Sequence, residues 1–131
     1  MAFLTLYHSL AEGSALRRLL YVAASGVGSL LVSCFASPDL STHGLCGLSG
    51  IAHGLMAVSA LEMMTKSDPR SLEHRVGMVC FVLVAGKAAF EALSGRMFFT
   101  FLHFGLMGQP VAVSHAGGII GGLFAAAFMR A

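Results

Sequence analysis

The sequence predicts an all-α membrane protein, a polytopic helical bundle of four full spans and one partial one, and three observations carry that prediction. Of 131 residues, 56% are hydrophobic and 11% are charged, with a mean hydropathy of +0.82, whereas a soluble domain carries about a quarter of its residues as charges. The apolar residues gather in runs of spanning length, about 20 residues each. Those runs are bounded by Pro, Gly, Ser or charge, which interrupt helices. The length fits one domain, residues 1–131. The net charge of +2 comes from scattered basic residues and leaves no footprint for nucleic acid, so the expected surroundings are a lipid bilayer.

Residues 1–11 (MAFLTLYHSLA) are apolar but too short to span. No basic segment precedes them, as it would in a signal peptide, so they read as the last half of a helix whose beginning is absent. Full spans follow at residues 16–36, 44–64, 75–93 and 110–129. Residues 97–108 (MFFTFLHFGLMG) are aromatic-rich and broken by glycine, and read as an interfacial or re-entrant loop. Cys34, Cys46 and Cys80 lie inside apolar runs with no CxxC spacing, so small core residues are expected rather than disulfides or metal ligands.

Placing Arg17, Arg18, Lys66, Arg70, Arg75 and Arg130 on the cytoplasmic side leaves Arg96 opposite them, which orients the bundle by the positive-inside rule. The runs at 44–64 and 110–129 then both pass from outside to inside. Ser49 and His115 each lie five residues into their run, so both sit about 7 to 8 Å below the outer surface. Gly50 and Gly54 form a small-xxx-small pair beside Ser49, and Gly47 precedes it. Gly118 and Gly122 share the face of His115. Bare faces let two helix backbones approach, which brings an imidazole within reach of a hydroxyl.

That pairing has a chemistry. A serine hydroxyl is a poor nucleophile until a base removes its proton, and a histidine with a pKa near 6.5 can take that proton and return it to a leaving amine. Such a dyad can work without a carboxylate where packing holds the imidazole tautomer. Gly47 and Gly50 would leave backbone N–H groups open to an oxyanion. GLSGI is not a G-x-S-x-G elbow, because Ile51 occupies the last position and no strand precedes it.

GLSG on one membrane helix, followed two helices later by SHAGGIIGG, resembles the rhomboid family of intramembrane serine proteases. His53-Gly54-Leu55 after the serine motif, with Lys87 and Glu91 in GKAAFEALSG, is more similar to the rhombosortase branch. The resemblance runs from about Glu12 to the end of the chain. It implies a rhomboid-like bundle in a bacterial inner membrane with its active site toward the outer side. Ser49 would be the nucleophile and His115 the general base, with no cofactor and no metal. The implied partner is a single-pass membrane protein substrate, in rhombosortases one with a Gly-Gly-containing C-terminal membrane tail. Rhomboids have a six-helix core in which an early helix supplies a histidine and an asparagine to the oxyanion. This chain has no asparagine, and His8 lies near the wrong end of its segment, so the expectation is an N-terminally truncated bundle.

The remaining polar residues are read alongside. His53 follows Ser49 by four residues and faces the same cavity, either contacting the site or bonding a neighbouring carbonyl. Lys87 and Glu91 are ionisable groups inside the bilayer, which suggests function; at i, i+4 they also form a pair that can neutralise itself and fix the helix. Glu62 is expected to reach the inner interface and its basic loop. His43, His74 and His103 read as solvated loop residues. Two other classes stay open: a rhomboid-like protein that binds membrane helices without cutting them, and a small transporter using Lys87, Glu91 and the histidines as a relay.

Overall fold

A computed structural model describes residues 14–36, 48–95 and 112–130. Among the described residues there are four α-helices and no strand: α1 (Ala15–Ala36), α2 (Leu48–Lys66), α3 (Leu72–Ser94) and α4 (Ala112–Phe128). Each falls on one of the apolar runs. The segments at 1–11 and 97–108, together with His8, His43, Cys46, Gly47, Arg96 and His103, lie outside the described residues.

Local chemistry sets the ends. Ser14 Oγ accepts from the Arg17 N–H at the start of α1. Between α2 and α3 the chain turns through Asp68-Pro69-Arg70, where Asp68 Oδ1 accepts from the Arg70 N–H at 2.7 Å. Ser71 then caps α3 by accepting from the His74 N–H, and Glu73 adds a negative charge to the first turn. At the far end Gly95 adopts φ 63° and returns its N–H to the Glu91 carbonyl, a left-handed cap that glycine enters without a Cβ penalty.

Two helices, α1 with 22 residues and α3 with 23, are long and apolar enough to cross a membrane; at 1.5 Å per residue they exceed the roughly 30 Å hydrocarbon core. The four spanning lengths read from the sequence reduce to these two among the described residues. His53 and Glu62 dilute the apolarity of α2, and the apolar stretch of α4 covers Val113–Phe128 alone. The outward faces of α1 and α3 expose Leu19, Leu30, Leu31, Phe35, Val79, Val82 and Leu83. Apolar helix surfaces of this kind support membrane association.

Close approach is possible because the facing residues are small. Along α1, Tyr21, Ser25, Ser29 and Ser33 are buried at four-residue intervals. Ser29 and Ser25 press on Gly50 and Gly54 of α2, and Gly28 meets Gly117 and Gly121 of α4. Helices α2 and α4 run parallel, Gly50 lying against Ser114 and Gly118, and Gly54 against Gly118 and Gly122. A Cβ on Gly118 would overlap the Gly50 carbonyl, so this seam admits glycine alone. Helix α3 covers the other side of α2 through Ala57, Val84 and Ala88, which pack with Ile119 of α4.

The end of the bundle at the α2–α3 turn departs from two expectations. Glu62 does not extend to the interface: it is 2% exposed and its carboxylate takes Arg17, Tyr21 and Lys66 as partners. His74 is half-buried, with its Nδ1 2.9 Å from the Met64 carbonyl oxygen, because a ring in the α2–α3 corner meets a carbonyl left over at the end of α2. The cysteines also differ from core residues. Cys34 is exposed and Cys80 intermediate, both free thiols on helix faces.

Candidate active site

Ser49 is the second residue of α2, where backbone N–H groups have no acceptor within the helix. His115 is the fourth residue of α4 and 2% exposed. Because Gly50 lies against Ser114, the serine and the histidine flank a contact between the two helices and stand at one level. Ser49 Oγ is enclosed and has no hydrogen-bond partner among the described residues. The serine hydroxyl is therefore not hydrogen-bonded to His115.

The third helix supplies a carboxylate. Glu91 of α3 is fully buried, and its Oε2 lies 2.6 Å from His115 Nδ1. Glu91 therefore pairs with His115 as well as with Lys87. Lys87 Nζ is 2.8 Å from Glu91 Oε1, and it also reaches across to α2, where it stands 3.2 Å from His53 Nε2. His53 Nδ1 is 2.7 Å from the carbonyl oxygen of Ser49. Its ring stacks on that of His115 with centroids 3.9 Å apart and planes 14° from parallel.

These partners settle where protons sit. A carbonyl oxygen can only accept, so His53 Nδ1 carries hydrogen and its Nε2 offers a lone pair to the Lys87 ammonium. Glu91, paired with that ammonium, is a carboxylate that accepts from His115 Nδ1–H. His115 Nε2 is then the basic atom. Lys87 and Glu91 cancel in charge, and both histidines in these tautomers are neutral.

Ser49, His53, Lys87, Glu91 and His115 therefore meet in one cluster from three helices, while Gly50, Gly54, Gly118 and Gly122 form the seam that brings α2 and α4 together. Sequence reasoning did not find the Glu91–His115 bond. A signal for it exists: Glu91 stands three residues before the end of α3 and His115 three residues after the start of α4. Antiparallel neighbours with those positions are level. Among the described residues no group of three or more His, Cys, Asp or Glu side chains is arranged to hold a metal ion. Compared with protein-family models, curated proteins and solved structures, the chain matches none.

Proposed function

We propose that this chain is an intramembrane serine endopeptidase of rhomboid type, nearest the rhombosortase branch, acting on single-pass membrane proteins near the outer face of a bacterial inner membrane. One observation carries the reading: a serine in the first turn of α2 stands level with a buried histidine whose Nδ1 is held by a buried carboxylate. In this reading α2 and α4 complete the crossing that α1 and α3 begin, and the basic residues face the cytoplasm.

The chemistry follows from the groups present. His115 Nε2 takes the proton of Ser49 Oγ as that oxygen bonds to the scissile carbonyl carbon, and Glu91 steadies the imidazolium that forms. The carbonyl oxygen gains the negative charge, and the N–H groups in the first turn of α2, around Gly50, are the donors placed to meet it. The C–N bond then breaks, and His115 gives its proton to the departing amine. Water, deprotonated by the same histidine, releases the acyl group from Ser49. By resemblance to rhombosortases, the substrate tail carries a Gly-Gly segment.

A second reading, a helix-binding protein that does not cut, is favoured by the lack of a hydrogen bond from Ser49 Oγ. A fluorophosphonate probe separates the two by forming a P–O bond to an activated serine with loss of fluoride. Labelling of the wild-type chain, absent in Ser49→Ala and His115→Ala, is the expected result. An unlabelled wild type that binds a tail-bearing helix as well as Ser49→Ala does would replace the protease reading with the binding one.

A further inference from the structure

We propose that Lys87 is a positioning residue that sets the His115 tautomer through Glu91 and holds His53 at its bare Nε2, and thereby joins the general base to the backbone of the nucleophile in one hydrogen-bonded circuit. Its catalytic consequence rests on the protease reading above; the tautomers themselves do not.

The circuit can be followed atom by atom. It starts at the Ser49 carbonyl oxygen, which accepts from His53 Nδ1–H at 2.7 Å. It passes from His53 Nε2 to the Lys87 ammonium at 3.2 Å, and from the ammonium to Glu91 Oε1 at 2.8 Å. It ends where Glu91 Oε2 accepts from His115 Nδ1–H at 2.6 Å. Three helices contribute, and both ends of the circuit return to the Ser49–His115 pair.

Lys87 is the member whose chemistry dictates the others. An ammonium has donors and no acceptor, so each atom it faces must present a lone pair. On Glu91 its positive charge favours the ionised carboxylate, which accepts at Oε2 and so requires hydrogen on His115 Nδ1. On His53 it meets the bare Nε2 that the bond from Nδ1–H to the Ser49 carbonyl leaves. Neutralising Glu91 alone would need no reach to another helix. The Lys87 side chain is 28% exposed, so it had the choice of water and is instead directed at an imidazole.

The stacking makes the choice consequential. When His115 becomes an imidazolium, the parallel ring 3.9 Å away must be neutral, or two cations would face one another. With Lys87 donating to His53 Nε2, the lone pair that a second proton would need is occupied. His53 thus stays a neutral wall against His115 through the reaction.

The test reads the tautomers directly. In protein labelled with 15N-histidine in detergent micelles, the side-chain shifts of His53 and His115, assigned by His53→Gln and His115→Gln, report which nitrogen carries hydrogen. Both rings are expected as Nδ1–H in the wild type. Lys87→Met leaves Glu91 buried without its cation, so Glu91 is expected to take up a proton or to draw a second one onto His115; either change puts hydrogen on His115 Nε2, and fluorophosphonate labelling is expected to slow on the order of tenfold to a hundredfold. Lys87→Arg is expected to restore both. Lys87→Gln, neutral but still able to hydrogen-bond, provides a second reading of the His115 ring, expected to show the same change. A His115 Nε2 that stays without hydrogen in both variants, or a wild-type His115 carrying hydrogen on Nε2, overturns the proposal. Correct tautomers in a chain that never labels would instead remove the protease reading and leave the circuit standing.

Discussion

Glu91 Oε2 and His115 Nδ1 lie 2.6 Å apart, although the two residues belong to different helices and both are buried. A carboxylate placed there holds the imidazole in one orientation and leaves Nε2 as its basic atom. Burial of a carboxylate in an apolar bundle is costly unless it is paired, and here both oxygens are occupied, one by Lys87 and one by His115. The same group that pairs α3 with α4 therefore also sets which nitrogen of His115 carries hydrogen.

Glu91→Gln separates those two roles. The amide preserves volume but offers a donor where the carboxylate only accepted, so His115 can present a bare Nδ1 to Gln and carry its hydrogen on Nε2. The expected result is a loss of fluorophosphonate labelling on the order of 10⁴-fold, comparable to a tautomer error in a serine protease. Lys87 is partly exposed and can rehydrate, so the thermal midpoint should move little. Glu91→Asp keeps the charge at a shorter reach and should recover part of the rate. Equal labelling of wild type and Glu91→Gln would confine Glu91 to a structural role.

The glycine seam predicts opposite outcomes for one substitution at two sites. A Cβ on Gly118 runs into the backbone of Gly50, with its carbonyl directly in the way, whereas one on Gly86 of α3 meets nothing within 4 Å. Gly118→Ala should force α2 and α4 apart and destabilise the bundle by about 1 to 3 kcal/mol, the range for overpacking. Gly86→Ala should be neutral or gain up to about 1 kcal/mol from helix propensity. Thermal midpoints in one detergent check both, and labelling should fall with Gly118→Ala alone. Matching midpoints would show that the seam is not tight.

What could be read from the sequence, and what could not, divides along one physical line. Hydropathy places the four helices, and the run lengths place Ser49 and His115 at one depth, because position along a helix follows from counting at 1.5 Å per residue. Rotation about each helix axis is not counted so easily. Whether Glu91 turned toward Lys87 alone or also toward His115 depended on how α3 rolls against α4, which the Ala88 and Ile119 contact decides. Tyr21 escaped notice for the same reason: an aromatic in an apolar run gives no sign that its hydroxyl faces Glu62 of the next helix. Ser25, Ser29 and Ser33 stand four residues apart, but without the contacts to Gly50 and Gly54 nothing separates a packing ridge from scattered small residues.

At the end of the bundle away from Ser49, Glu62 offers a last prediction. Its Oε1 accepts from Tyr21 OH at 2.9 Å and from Arg17 Nη2 at 3.0 Å, and its Oε2 lies 3.2 Å from Lys66 Nζ. Arg17 Nε also donates to the Tyr21 hydroxyl at 2.9 Å. Three donors from two helices on one buried carboxylate tie α1 to α2. Removing one partner of a fully buried pair costs about 3 to 5 kcal/mol; Arg17 and Lys66 keep 32% and 46% of their side-chain surface exposed, so water recovers part of that. Glu62→Gln should therefore destabilise by roughly 1 to 3 kcal/mol, and Tyr21→Phe by about 1 kcal/mol. The double variant should cost less than the sum, with a coupling of about 0.5 to 1 kcal/mol, since each single change already breaks the shared bond. Fluorophosphonate labelling of the folded fraction should persist in all three, because the tie lies three helical turns below Ser49 along α2. Strict additivity in a double-mutant cycle would mean that Tyr21 and Glu62 touch without holding the helices together.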